Sequence, residues 1–168
     1  MEELAILKKH ILEGRYTDAL AVVEDLEGMS RKAILMTIKS FLTRLVSHLI
    51  KNDAEQRLTN SWSASIRNPI VQIQEWNVMG NHTGHYVHAD DWRELLEKVW
   101  DTALDEAALE VNGGRHSPLQ LAEMIDQEAI FQRAQHLLSL TFTESTRDLP
   151  RRLRDEMKSL PGGGEAGN

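Results

Sequence analysis

The sequence has 168 residues, a formal net charge of -7 and no cysteine. This length suits one domain that buries roughly two thirds of the surface of its unfolded chain, and the lack of cysteine excludes disulfides and thiolate-bound zinc. No apolar run approaches the roughly 18 residues that a membrane span needs, and the first ten residues lack the features of a signal peptide, so we expect a cytoplasmic protein.

Charge is distributed unevenly along the chain. Residues 31–68 contain seven basic and two acidic residues, whereas residues 84–130 contain eleven acidic and three basic ones. Segments of opposite sign within one fold most often complement each other internally or across a dimer. The alternative is an acidic partner that binds the basic segment.

Apolar residues recur with helical spacing along nearly the whole chain, and no segment alternates long enough to indicate a strand. The sequence therefore predicts an all-α, single-domain helical bundle of about six to seven helices. A first helix over about residues 2–13 ends at Gly14, and a second covers about 16–27. The pair is similar to a tetratricopeptide hairpin, but no second copy follows, so we expect one N-terminal helical hairpin and not a solenoid.

The third helix is predicted over about residues 31–51, with the Ser30 hydroxyl as its N-cap. His48 lies in the apolar row of this helix, which favours a neutral imidazole bonded to a neighbouring helix. The next helical segment contains Pro69, which removes a backbone hydrogen bond and clashes with the preceding turn. Either that helix kinks, or a new helix starts with Asn68 as N-cap, and the capping preference of asparagine favours the second alternative.

Further helices are predicted in the second half of the chain. Asp90 can cap a helix over about 91–111, and Ser117 with Gln120 forms a capping box for a helix that extends to about residue 140. A short amphipathic helix over about 148–159 follows.

The final segment "LPGGGEAGN" has almost nothing to bury, so we expect it to be disordered. The sequence thus predicts a helical bundle domain over residues 1–141. A C-terminal helical extension over 142–160 and a disordered tail over 161–168 complete the predicted organisation.

The loop "NHTGHYVHADDW" places His82, His85 and His88 at intervals of three. Zinc ligands usually converge from a helix at i and i+4 or from rigid turns, with carboxylates that hold the imidazoles. Spacing of three in a loop makes successive imidazoles diverge, so we predict no metal and no cofactor. We interpret the segment as a surface loop that leads into a helix; a pH switch stays an open alternative, because histidine titrates at about pH 6.5.

No catalytic residues are predicted. The chain contains no glycine-rich phosphate loop, no nucleophile elbow and no defensible Ser/His/Asp set. Arg44 and His48, one helical turn apart, are reminiscent of the arginine-to-histidine motifs of small helical ribonucleases, but they fall on the polar and the apolar rows of their helix. They are therefore interpreted as a surface and a core residue, and the sequence favours a protein that is not an enzyme.

Four segments, "LEGRYTDALAVVEDLEGMSR", "LVSHLIK", "SWSASIRN" and "LAEMIDQEAIFQRA", together resemble a bacterial family called domain of unknown function 29. The resemblance covers nearly all of residues 1 to about 140. Its most specific elements are the run from His48 to Lys51 and four residues that follow it: Ser61, Trp62, Ile66 and Arg67. The resemblance implies a helical fold, and it does not indicate any particular activity. Pro69 and the histidine-rich loop at 82–88 depart from the family pattern.

Two functions follow as hypotheses. The first is a non-enzymatic helical protein-interaction module that binds a protein partner or a second copy of itself. The second is a nucleic-acid-binding protein or helical nuclease with a basic ridge between the third and fourth predicted helices. The net charge opposes polyanions and favours the first. The candidate partner-binding residues are Arg44, Lys51, Arg57, Trp62 and Arg67.

Overall fold

The computed structural model describes residues 2–80 and 84–165, and this part of the chain forms seven α-helices. They are α1 (Glu2–Leu12), α2 (Tyr16–Glu55), α3 (Asn60–Trp76), α4 (Trp92–Ala108), α5 (Pro118–Met124), α6 (Gln127–Thr143) and α7 (Leu149–Glu156). Short 3₁₀ turns lie at Ala89–Asp91, Val111–Gly114, Met157–Ser159 and Gly163–Glu165. None of the described residues forms a strand, so the predicted all-α helical bundle is confirmed.

The chain divides into two compact units, Met1–Thr37 and Ile38–Asn168. This division differs from the predicted boundary after residue 141. Helix α7 lies in the second unit, where it packs against α3 and α6. The reason is that Leu149 and Leu153 of α7 are fully buried, so the predicted extension is part of the hydrophobic core.

Helix α2 is continuous, whereas the sequence predicted two helices with Ser30 as the cap of the second. No proline interrupts residues 28–30, so each backbone N–H there can join the helical series, and Gly28 costs only about 1 kcal/mol relative to alanine. In the second unit α2 supplies much of the core. Its fully buried apolar side chains are Ile38, Leu42, Leu45, Val46, Leu49 and Ile50.

Among the described residues, α2 is also the one helix that is long and apolar enough to cross a membrane. The sequence predicted no such span, because no uninterrupted apolar run approaches the roughly 18 residues that a span needs. Core helices of water-soluble proteins share this property, and 39% of the most apolar window of α2 is buried inside the protein. The cytoplasmic location stays a prediction.

Helix α3 runs through Pro69, so the favoured alternative of a new helix capped by Asn68 is wrong. The N-cap is Thr59, whose hydroxyl accepts a hydrogen bond of 3.0 Å from the Trp62 N–H. Pro69 and its neighbour Ile70 are both buried. Their apolar contacts offset the backbone hydrogen bond that proline cannot donate.

Asp90 was predicted to cap the helix after the histidine-rich loop, but the N-cap position of α4 is Asp91, whose side chain makes no capping hydrogen bond to α4. Asp91, and not Asp90, accepts a hydrogen bond of 3.0 Å from the His88 N–H, and α4 begins at Trp92. A 3₁₀ turn over Ala89–Asp91 precedes α4, which shifts the position that can reach back to the preceding backbone.

The capping box at Ser117 is confirmed. The Gln120 N–H donates to the Ser117 hydroxyl at 3.2 Å, and the Ser117 N–H donates to the Gln120 side chain at 2.9 Å. The helix that starts there is shorter than predicted, because Asp126 accepts a hydrogen bond of 3.1 Å from the Ala129 N–H and thereby starts a separate helix, α6.

Residues 161–165 are docked on the second unit, in contrast to the predicted disordered tail. The Pro161 carbonyl accepts a hydrogen bond of 2.8 Å from the buried Asn52 side chain. Gly162 has a φ of +72°, and a Cβ there would lie 2.8 Å from the Arg57 Cα. Gly162, one of the glycines that suggested disorder, is required by this close backbone approach. Residues 166–168 lie outside the described part of the chain.

Replacing Gly163 by alanine tests this docking. A Cβ at Gly163 would overlap the backbone oxygen of Met157. We therefore expect Gly163→Ala to lower the free energy of unfolding by about 1–3 kcal/mol in chemical denaturation. Gly164→Ala is the matched control, because no atom lies within 4 Å of a Cβ added there. Equal stability of the two variants would mean that the segment is not docked.

Candidate functional site

The five predicted partner-binding residues do not form one exposed ridge. Arg44 is exposed, whereas only 4% of the Lys51 surface is accessible. Lys51 Nζ donates a hydrogen bond of 2.6 Å to Glu110 Oε2 at the end of α4. This ion pair joins the basic segment to the acidic one, as expected of segments that complement each other inside one fold.

The Lys51–Glu110 pair is asymmetric, since 63% of the Glu110 side chain is exposed. The hydrogen bond and the positive charge of Lys51 hold the pKa of the Glu110 carboxyl below its usual value. The positive charge of Lys51 is thus paired with a carboxylate of its own chain, and its buried ammonium group is not accessible to a phosphate group.

Asn52, Asp53 and Glu55, which follow Lys51, each form hydrogen bonds with a different later part of the chain. We name residues 51–55 the anchor segment. The buried Asn52 amide donates to the carbonyls of Arg57 at 3.0 Å and Pro161 at 2.8 Å. It thereby joins the turn after α2 to the docked C-terminal residues.

Asp53 and Glu55 complete the anchor segment. The two oxygens of Asp53 accept hydrogen bonds from the Arg133 guanidinium at 2.8 Å and from the Asp126 N–H at 3.2 Å, at the start of α6. Glu55 accepts one of 3.4 Å from the Asn112 N–H in the turn after α4. The polar end of α2 therefore organises four other segments.

Arg57 and Trp62 lie together next to the anchor segment. The Arg57 guanidinium lies 4.5 Å from the centre of the Trp62 ring, and its Nε donates to Glu55 at 2.9 Å. Such a cation–π contact contributes about 0.5–1 kcal/mol at an exposed site. Trp62 therefore packs under an arginine of its own chain.

Arg67 has a different environment from the other four predicted site residues. Its Nε donates a hydrogen bond of 3.1 Å to the Ser63 hydroxyl one turn earlier in α3. Arg67 lines a cavity together with two further cations, Arg154 and Lys158, which the sequence analysis did not single out. They could not be found from sequence, because they lie about 90 residues further along the chain.

His48 is half-buried and bonds within its own helix, not to a neighbouring helix as predicted. Its Nδ1 lies 2.9 Å from the Arg44 carbonyl, to which it donates. Burial lowers the pKa of His48, and the nearby positive charges of Lys51 and Arg44 act in the same direction. The neutral imidazole is therefore the favoured form.

The histidine-rich loop is closed by Asn77, a buried residue that sequence inspection overlooked. Its amide donates to the Val87 carbonyl at 2.9 Å and accepts from the Val87 N–H at 2.7 Å. His85 packs edge-on against Phe142 at 4.8 Å between ring centres. His82 lies outside the described residues, and within those residues no group of three His, Asp or Glu side chains could hold a metal ion.

The first unit carries a large exposed apolar surface. Ala19 is its only buried residue among those that the structure describes. Eight large apolar side chains of this unit are 41–77% exposed, and we name them the N-terminal apolar surface. They are Leu4, Ile6, Ile11, Leu12, Tyr16, Leu20, Met29 and Met36.

Comparison with known families identifies the chain. A family model described as "Domain of unknown function DUF29" matches residues 2–142. The chain belongs to this family. The resemblance drawn from the sequence is therefore confirmed. No curated protein and no solved structure matches the chain.

The family match ends before α7 begins. In this DUF29 protein, residues beyond the match contribute buried leucines to the second unit and two of the cations in the cavity beside Arg67. The family description names no activity and no ligand.

Removing the Glu110 carboxylate tests the anchor of this DUF29 domain. Glu110→Gln leaves a buried ammonium group without its carboxylate, so we expect the free energy of unfolding to fall by about 1–3 kcal/mol. The double variant Lys51→Met, Glu110→Gln regains stability, because it removes the buried charge as well.

The same pair predicts a pH dependence. The folded-state pKa of Glu110 is below its ordinary value of 4.5, so its stabilisation is complete above that pH and is lost as pH falls through the lower folded value. Denaturation between pH 7 and pH 3 measures this. The loss on acidification should be smaller in Glu110→Gln, and an unchanged loss would contradict this role of the pair.

Proposed function

We propose that this protein is a non-enzymatic helical interaction module of the cytoplasm that self-associates through the N-terminal apolar surface. The supporting observation is that Met1–Thr37 buries Ala19 alone among its described residues while eight large apolar side chains stay exposed. Two helices cannot enclose a core of their own, and exposed apolar patches of this size mark interaction sites.

The free energy available from covering this surface is large. The exposed fractions of the eight side chains together equal about four and a half fully exposed large apolar residues. At about 1.5–3 kcal/mol for each, their burial contributes on the order of 7–14 kcal/mol. This is comparable to the free energy of unfolding of a whole single domain, so a partner that covers the surface also stabilises the first unit.

A second copy of the chain is the partner that the charges favour. Helix α1 carries Glu2 and Glu3 in its first turn and Lys9 with His10 in its last. A two-fold axis perpendicular to α1 makes the two α1 helices of a dimer antiparallel, which brings the acidic start of each beside the basic end of the other. Two helical hairpins then form a four-helix bundle with the apolar side chains inside.

Nucleic-acid binding by a basic ridge has less support. The ridge requires Lys51, whose ammonium group is buried and bonded to Glu110. Arg57 is likewise bonded to Glu55 and stacked on Trp62. Since counterion release needs open contacts to phosphate, the two residues add little to such a surface.

Acidic substitutions in the apolar surface test self-association. Sedimentation velocity of the wild-type protein should give twice the mass of one chain. Leu12→Glu with Leu20→Glu should weaken the dimer at least about 100-fold, because each carboxylate would be buried in the interface. Circular dichroism checks that the helices remain.

Leu109→Glu with Leu119→Glu is the matched control. These leucines are 78% and 73% exposed in the second unit, compared with 77% and 62% for Leu12 and Leu20. The control protein should stay dimeric. A monomeric wild type, or equal dissociation of both double variants, would contradict self-association through the first unit.

A further inference from the structure

We propose that the cavity beside Arg67 binds a small phosphorylated molecule. This cationic cavity lies in the second unit and has a volume of about 450 Å³, which suits a small ligand. Its wall carries the cations Arg67, Arg154 and Lys158, the polar residues Asn60 and Ser63, and the apolar Met157. The site uses none of the residues of the N-terminal apolar surface, so it is independent of self-association.

Helical spacing brings these side chains together. Asn60, Ser63 and Arg67 are separated by three and four residues, so they lie along one face of α3. Arg154 and Lys158 are separated by four residues, across the end of α7 and the 3₁₀ turn that follows it. Because α3 packs against α7, the two rows border the same space.

Two of the three cations of the cavity, Arg67 and Arg154, form no ion pair within the described part of the chain. No carboxylate is among the described residues of its wall. Arg67 bonds Ser63 through Nε, and within the described residues neither Arg67 nor Arg154 forms an ion pair with an acid. Lys158 has Asp155 at 3.5 Å, but both side chains are largely exposed, so this pair contributes little.

Other arginines of the second unit, in contrast, lie beside carboxylates. Arg93 makes two hydrogen bonds to Glu128, at 2.9 and 2.7 Å. A second cavity of about 450 Å³ has Arg44 in its wall, but Glu106 lies in the same wall and balances the charge. The cavity beside Arg67 thus combines a half-open space with a wall that carries three cations and, within the described residues, no carboxylate.

This combination points to phosphate chemistry. Three positive charges match a ligand with two or more negative charges, and guanidinium groups bind phosphate oxygens through two parallel N–H donors. The Ser63 hydroxyl and the Asn60 amide add neutral donors, and Met157 offers an apolar contact for the organic part of the ligand. No atom lies within 4 Å of a Cβ built on Gly164, another residue of the wall, which leaves room beside its backbone.

Calorimetric titration of the full chain with inorganic pyrophosphate tests the proposal. We expect one binding site per chain and a higher melting temperature in the presence of the ligand. Arg67→Gln and Arg154→Gln should each weaken binding at least about tenfold, because each removes a charge-assisted pair of hydrogen bonds. Arg67→Lys, which keeps the positive charge, should weaken it less.

Arg151→Gln is the matched control. Arg151 is an exposed arginine of α7, the helix that contains Arg154, but it does not line the cavity. It should bind pyrophosphate as the wild type does. Absence of binding to the wild type, or equal weakening in Arg151→Gln, would overturn the proposal. A third outcome would also overturn the proposal: pyrophosphate does not bind, whereas a mixed-sequence single-stranded oligonucleotide binds through the same arginines. The cavity would then be a nucleic-acid-binding site.

Discussion

The anchor segment at the polar end of α2 is the constraint on which the second unit depends. Its apolar neighbours Leu49 and Ile50 are buried, so the polar residues that follow enter the interior and must find partners there. Lys51 bonds the end of α4, Asn52 the docked C-terminal residues, and Asp53 the start of α6. Each bond fixes a part of the chain more than 50 residues away. Through these three interactions, α2 positions α4, α6 and the C-terminal residues relative to itself.

Local chemistry predicted the elements better than it predicted their ends. The capping box at Ser117 and the turn at Gly14 follow from short-range rules, and both are present. The break at Ser30 and the restart at Asn68 were predicted by the same rules and are wrong, because a good capping residue does not start a helix where the existing helix can continue. At Asp126 a helix does restart, and there the Asp126 backbone N–H also donates to the Asp53 carboxylate, a contact that no local pattern contains.

The candidate site was less predictable than the fold. A row of basic residues along α2 and α3 indicated a binding ridge, but the partner of Lys51 lies 59 residues away, so the neutralisation of its charge was not visible in the sequence. Arg67 belongs to a candidate binding site because Arg154 and Lys158 border the same cavity. The N-terminal apolar surface was equally hidden. Periodicity predicted a helix over about residues 2–13, but it did not show that Leu4 and Leu12 of that helix are exposed in the first unit.

The central claim is that the second unit encloses its own core while the first unit is completed by another copy of the chain. Hydrogen exchange of the intact protein, measured by mass spectrometry at several protein concentrations, tests it most directly. Amides of Ile38–Glu55 should exchange slowest, at a rate independent of concentration. Amides of Glu2–Leu12 should become protected as concentration rises. Protection of Glu2–Leu12 that does not change with dilution would contradict the claim.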